Sequence, residues 1–302
     1  MRFTKFQGFG NDYLVFEADH LSGVGDLGSF ARRICNRHYG AGADGIAILS
    51  EPPADRGPQA GSPLGVVDAG GPENDSDFDV RIFNPDGSEA GMSGNGTRCA
   101  ASFLVYHGLW SDELLRLQTR NGIKRYHLME RSGAGSFLFR SELGQPRFDS
   151  ASIPMQTDRP LDRVIDYPLE VGGETLKVTA LQMGNPNCCV FVDDFEAIAW
   201  RRLGPLIENH PQFPERTNVI FIRVRDAANI EERIWERGVG ETESSGTCSC
   251  AAVVASVING KTDRTVNVHA PGGIIPIEWR HDGEVVLTGS ASVVYSGAWL
   301  MD

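Results

Sequence analysis

At 302 residues, with 41% hydrophobic, 23% charged and 9% aromatic positions, the chain has room for two domains of about 150 residues each and a sizeable core. Its 28 basic residues against 40 acidic ones give a formal charge of -12, which repels phosphate backbones and anionic lipid and argues against nucleic acid and membrane as partners. No window approaches the run of about 18 apolar residues that a membrane-spanning helix needs. The start, Met1 to Gly8, lacks a basic segment followed by an apolar stretch, and six cysteines are too sparse for a disulfide framework. Cytoplasm is the expected compartment.

In chain order, residues 3–6 and 13–17 read as strands around the turn Gly8-Phe9-Gly10-Asn11-Asp12. Ser29 to Arg37 reads as a short helix, and Gly40 to Gly45 delivers the chain into an apolar strand, Ile46 to Leu49. Glu51 to Asp79 is rich in Pro, Gly, Asp and Ser, the composition of a flexible surface excursion. Val80 to Phe83 resumes a strand. A loop of small residues, Asn84 to Thr97, leads into an apolar helix over Arg98 to Tyr106 that ends near Gly108. Strands are expected at Leu115–Thr119, Lys124–Met129 and Ser136–Arg140.

The second half begins with strands at Leu176–Ala180 and Cys189–Val192, a helix around Ala197–Asn209 and a strand at Asn218–Val224. A second small-residue loop, Gly238 to Thr247, runs into an apolar helix, Ala251 to Ile258, capped by Gly260. More strands close the chain. The two halves repeat one theme, with Ser93-Gly94-Asn95-Gly96-Thr97 answered by Ser245-Gly246-Thr247-Cys248-Ser249. Such repetition suggests either a duplicated architecture with a site between the copies or two coincidentally similar caps, since Ser-Gly before a helix is a common start signal.

A helix start leaves backbone N–H groups without intrahelical partners, and the macrodipole makes that end electropositive. A carboxylate is its natural guest. Two such ends pointing at one another could hold a small amino acid and set one proton donor or acceptor on each face of its α-carbon. Charge developing on the carboxylate would be met by amides already in place. Cysteine, with a free pKa of about 8.5 that helix ends lower, suits the acid/base role; serine suits it badly.

At this point the sequence resembles the diaminopimelate epimerase family. The resemblance lies in Phe6 to Tyr13, in Arg81 to Glu89 followed by Ser93 to Cys99, in Met183 to Asn187, in Arg216-Thr217-Asn218, in Trp235 to Thr242 and in Ser244 to Ala252. These motifs come in family order over almost the whole chain. The resemblance implies an α+β protein of two pseudo-symmetric β-roll or barrel domains, 1–140 with 288–302 and 141–287, each wrapped round a central helix, with the active site in the cleft between them. It implies a homodimer that interconverts LL- and meso-diaminopimelate by two-base proton transfer, for lysine and cell-wall precursor synthesis, with no pyridoxal phosphate, metal or other cofactor. Asn11, Asn84, Asn185 and Asn218 would bind the distal end of the substrate. Glu236 and Arg237 would add charged contacts, Arg237 to a carboxylate, and Gly94-Asn95 and Gly246-Thr247 would cradle the reacting carboxylate.

The sequence departs from the family at its centre. Ser93 and Ser245 stand where the family carries its catalytic cysteines, Asn187 replaces the histidine of the Gly-Asn-Pro-His turn, and Cys248 stands where glycine is usual. Three readings are open here: an epimerase or related racemase working with serines, a divergent relative that does other chemistry or only binds an amino acid, and an active enzyme whose cysteines were replaced deliberately. Cys248 and Cys250 are expected to point away from the site, and Cys99 and Cys250 to serve as small buried residues. Cys188-Cys189 with Cys248-x-Cys250 lacks the usual zinc spacing.

Overall fold

The computed structural model describes residues 1–53 and 76–300, so most of the Pro/Gly-rich excursion expected over 51–79 lies outside the described residues. By its own packing the chain divides into two units, Met1–Glu142 with Gly289–Asp302, and Leu143–Thr288. In chain order the first carries β1 (Arg2–Gly8), β2 (Asn11–Glu17), α1 (Leu27–Ile34), β3 (Gly45–Ser50), β4 (Phe78–Phe83), β5 (Glu89–Ala90), α2 (Gly94–Tyr106), β6 (Leu114–Thr119), β7 (Gly122–Ser132) and β8 (Ser136–Glu142). The second carries β9 (Val164–Val171), β10 (Glu174–Gln182), β11 (Pro186–Phe191), α3 (Trp200–Glu208), β12 (Asn218–Asp226), β13 (Asn229–Glu236), β14 (Gly240–Thr242), α4 (Gly246–Ile258), β15 (Thr265–Ala270) and β16 (Gly273–Trp279). Strand β17 (Val285–Ala298) begins in the second unit and ends in the first.

In the first unit β1 and β2 form a hairpin whose two-residue turn, Phe9 at φ 54 and Gly10 at φ 81, has the left-handed backbone that matches strand twist. Strand β2 then pairs parallel with β3, which requires a crossover connection, and α1 supplies it. Asp26 caps that helix through the amides of Gly28 and Ser29. The ladder continues β3–β4 antiparallel, β4–β6 parallel, β6–β7 and β7–β8 antiparallel. Strand β17 pairs with both β8 and β1 and closes the ring. A closed ring leaves no sheet edge to template aggregation.

Helix α2 runs inside that ring, packed on β1, β2, β3, β4, β6 and β8. Every residue from Gly94 to Val105 is buried, as an all-round enclosed helix must be. Its glycines and alanines let the surrounding strands approach, and Phe6, Ile82, Leu117 and Phe139 fill the space around it.

The second unit repeats this plan. Strands β10–β11 pair antiparallel, β11–β12 parallel with α3 in the crossover, β12–β13 antiparallel, β13–β15 parallel, then β15–β16 and β16–β17 antiparallel. The stretch after β8 completes the circuit, since Leu143 and Gly144 exchange hydrogen bonds with Val285, and Arg147 does so with Gln182. Helix α4, of 13 residues like α2, is the buried helix here. The short strands β5 and β14 also correspond: Ile82 faces Ala90 and Ile234 faces Thr242, each displaced by the interval that separates Ser93 from Ser245. The chain is α+β, and the duplication inferred from two serine-glycine junctions extends through the strand ladder from β10 to β17, while β9 adds an antiparallel hairpin with β10.

Both central helices begin earlier than the sequence pattern indicated, at Gly94 rather than Arg98 and at Gly246 rather than Ala251. Glycine, asparagine and threonine are poor helix formers, but burial on all sides overrides propensity. The residues read as loops therefore form the first turns themselves. Helix α1 stops at Ile34, short of Arg37, whose guanidinium reaches Asp12 and Asp44 instead. Among the described residues no helix is long and apolar enough to cross a membrane.

Candidate active site

Ser93 is the N-cap of α2, extended at φ -135, ψ 122, and its hydroxyl accepts from the Gly96 amide. Serine favours this place because its oxygen satisfies an otherwise orphaned N–H. The Tyr13 hydroxyl lies 2.8 Å from Ser93 Oγ. Gly94 and Asn95 open the first turn, where amides have no intrahelical acceptor. Asn95 is held from both ends of its amide: Arg98 Nη2 donates to its oxygen at 2.5 Å, and its Nδ2 donates to Asn11 Oδ1 at 3.2 Å. Asn11 in turn donates to Asp44 at 2.8 Å. Arg98, almost wholly buried, also donates to the Ser290 carbonyl and stacks on Phe9. Asn84 stands apart from this network, its side chain donating to Ser88 within the turn that follows β4.

Tyr13 owes its place to Gly45, its register partner on β3. A Cβ at Gly45 would lie 2.6 Å from Tyr13 Cε1 and 2.8 Å from the Phe83 carbonyl, and the backbone atom cannot yield cheaply. Gly45→Ala is therefore expected to cost about 1–3 kcal/mol of stability and to displace the tyrosine from Ser93. A urea melt beside that of the parent chain checks the first effect.

Ser245 is the N-cap of α4 at φ -146, ψ 120. Asn185, at the place Asn11 holds in the first unit, donates to Thr247 Oγ1 at 3.2 Å, as Asn11 accepts from Asn95. Asn187 donates to both oxygens of Asn185, at 2.7 and 3.0 Å. It accepts from Asn218 at 3.2 Å, and Asn218 accepts from the Arg237 amide at 2.9 Å. Thr247, Asn185, Asn187, Asn218 and Arg237 thus form one continuous chain of hydrogen bonds. Asn187 occupies the register position of Tyr13, the first parallel pair with the neighbouring strand, but its amide serves Asn185 and Asn218. The Arg237 guanidinium donates to the Glu215 carbonyl. Burial, and then Arg216 beside it, hold its pKa below the ordinary arginine value.

The expectation that Cys248 points away from the site is corrected by the structure. The Ser245 and Thr247 side chains lie beside its thiol and favour its ionised form against burial, and Ser245 does so because an N-cap and the residue three positions on share a helix face. Burial, first, then Glu236 drive that thiol well above its usual range, so it is inert as an acid near neutrality. Cys99 and Cys250 are buried. Among the described residues no three His, Cys, Asp or Glu side chains converge as a metal site requires.

Sequence reasoning missed Tyr13, Arg98, Glu232 and Ser249. Glu232 is wholly buried and bonded to Ser249, one turn after Ser245. The signal was present: in Ile230-Glu231-Glu232-Arg233-Ile234 the two isoleucines alternate with Glu232 between them, which places it on the core face.

The profile of the diaminopimelate epimerase family matches residues 3–148 and 179–294. A protein of Pelotomaculum thermopropionicum named diaminopimelate epimerase is 41% identical over 300 residues, covering 99% of both chains. One of Moorella thermoacetica with the same name is 39% identical over 304 residues, covering all of both. In structure the chain is similar to a probable proline racemase from Agrobacterium radiobacter at TM-score 0.65 and 14% identity, covering 100% of this chain and 93% of that one. It is also similar to a hydroxyproline epimerase from Agrobacterium vitis with bound trans-4-hydroxy-L-proline, at TM-score 0.63 and 14% identity over 99% and 90% of the two chains. These structural likenesses bear on the fold alone.

Proposed function

The chain belongs to the diaminopimelate epimerase family, and on that premise we propose that it interconverts LL- and meso-diaminopimelate by two-base transfer of the α-proton. The carrying observation is the duplicated serine cap: Ser93 and Ser245 each stand at the N-terminus of a buried helix, at the positions the family uses for acid and base. In this reading domain 1–140 with 288–302 supplies Ser93 and domain 141–287 supplies Ser245. The amides of Gly94, Asn95, Gly246 and Thr247 receive the reacting carboxylate, one hydroxyl removes the proton and the other supplies its replacement on the opposite face. Negative charge gathering on the carboxylate is stabilised by both helix ends.

Asn11, Asn84, Asn185 and Asn218, with Glu236 and Arg237, take the distal amino acid group. The asparagine chain in the second unit supports this, since it ties Thr247 to Arg237 through fixed amides. The reading extends to a cytoplasmic homodimer supplying lysine and cell-wall precursors.

A second reading is favoured by the serines themselves. A hydroxyl is a weak acid that needs an activating base, and the position of the family's histidine holds Asn187, bonded to amides alone. A chain so equipped could bind the amino acid without turning it over, or act as a racemase on another. Incubation with LL-diaminopimelate in heavy water separates the readings. Deuterium at the α-carbon is the expected result; binding without exchange would make the protein a receptor, and absence of both would remove diaminopimelate as its ligand.

A further inference from the structure

Glu232 lies in mid-β13 with none of its surface exposed. Its Oε1 is 2.5 Å from Ser249 Oγ, and that oxygen is also 2.9 Å from the Ser245 carbonyl. A hydroxyl has one proton and a carbonyl can only accept. If Ser249 donates to the carbonyl one turn back, as helical serines do, the proton of the other contact comes from Glu232. The second carboxyl oxygen, Oε2, is buried with no hydrogen-bond partner among the described residues, a situation far less costly for a neutral acid than for a carboxylate. Burial pushes the Glu232 carboxyl up to about 8 against the smaller opposing effects of Ser249 and Arg233.

Among the described residues, the groups around it supply no compensating cation on its own face of the strand. Cys189 on β11 and Cys248 on α4 are thiols driven well above their usual range, each further raised by Glu232. Glu236, on the same face of β13, also raises Cys248. On β12 the register partner is Ile222. Glu231, with Arg223, Arg225 and its β15 partner His269, belongs to the opposite face of the strand. Arg233, the next residue in sequence, likewise alternates to that face and donates to the Glu232 backbone carbonyl.

We propose that Glu232 is a positioning residue for Ser245: as a neutral acid it donates to Ser249, which fixes the Ser249 proton on the Ser245 carbonyl, and when ionised it breaks that chain and sets a negative charge beneath the helix end that receives the ligand carboxylate. Carboxylate binding at α4 is thereby coupled to a proton on Glu232. The inference rests on the reading of Ser245 as an acid/base position. A charge two hydrogen bonds from the helix start weakens a like charge there by roughly tenfold at an effective dielectric near 20.

A thiol introduced at the cap tests this without any ligand. In Ser245→Cys its ionisation is followed by the rate of alkylation against pH, the native cysteines being buried, and Glu232→Gln is then added. The expected result is a thiol pKa lower by about one unit or more in the double variant, because the glutamine removes the anion and keeps the volume. An unchanged thiol pKa would overturn the proposal. In the otherwise unaltered chain, calorimetry with meso-diaminopimelate should show affinity falling by about tenfold per pH unit above pH 8, and Glu232→Gln should flatten that fall while retaining the low-pH affinity. An identical alkaline fall in Glu232→Gln would also overturn it. If diaminopimelate fails to bind at any pH while the introduced thiol responds, the ligand assignment fails and the role of Glu232 stands. Should Glu232→Gln not fold, Ser249→Ala in the Ser245→Cys background replaces it, with a shifted thiol pKa expected and an unshifted one contradicting the chain of donors.

Discussion

Ser93→Cys/Ser245→Cys is expected to raise α-deuterium incorporation into diaminopimelate by roughly 10³-fold, the range that a well-matched general acid or base contributes. Each serine already has the geometry that proton transfer needs, as an extended N-cap at the electropositive end of a buried helix. What it lacks is acidity. A thiol near 8.5 that helix starts lower further exists in both protonation states near neutrality, as one group must be a base while the other is an acid. The surroundings of Ser93 suit a thiolate, since the Gly96 amide already donates to this position and the Tyr13 hydroxyl lies beside it. Because one proton leaves and another arrives in each turnover, the two replacements act as a unit, and their effects should be far from additive. Either single variant alone is expected to recover a small part of the gain. Heavy-water exchange with the parent chain, both singles and the double checks this. A double variant that binds diaminopimelate and remains inert would deprive the assignment of its mechanism.

Arg237→Met should weaken diaminopimelate binding by roughly 10²–10³-fold, the cost of truncating one partner of a buried, hydrogen-bonded charge pair. Arg237 is anchored at both ends, by its amide to Asn218 and by its guanidinium to the Glu215 carbonyl. Its pKa is lowered by burial and by Arg216, the signature of a cation in a place that a carboxylate would relieve. A planar fork matches a carboxylate as an ammonium cannot, so Arg237→Lys should restore only part of the affinity. Lysine, which lacks the distal carboxylate, supplies the control in calorimetry. Its weak binding should be indifferent to Arg237→Met. An equal loss for both ligands would mean a general collapse of the strand end.

Much of this was legible because the chemistry sits where local rules are strong. Serine before glycine at a helix start is read from side-chain capping, and the second Ser-Gly junction, although Ser245 makes no side-chain cap bond, pointed to the duplication. The boundaries were less visible. Gly94 to Thr97 and Gly246 to Cys248 look like loops by propensity and form helix only because a closed ring of strands surrounds them. Strand β13 was hidden by its charges, with Glu231, Glu232 and Arg233 interrupting the apolar pattern; the one on the core face, Glu232, is the one that matters to the site. Cys248 was misjudged by treating the first turn as loop, since the shared face of residues 245 and 248 exists only once the helix begins at Gly246. Tyr13 sat within a recognised motif, but its reach to Ser93 depends on the parallel pairing of β2 with Gly45, a tertiary fact that no local pattern carries.

The central claim is that one helix cap works on each face of a single carbon, and the fate of the label in the Ser93→Cys/Ser245→Cys variant tests it most directly. With LL-diaminopimelate in heavy water, sampled at early turnover, the meso product should carry solvent deuterium at the inverted carbon while the recovered LL isomer keeps its original hydrogen. Deuterium appearing equally in both isomers from the outset would mean that a single group handles both faces, and would contradict the account.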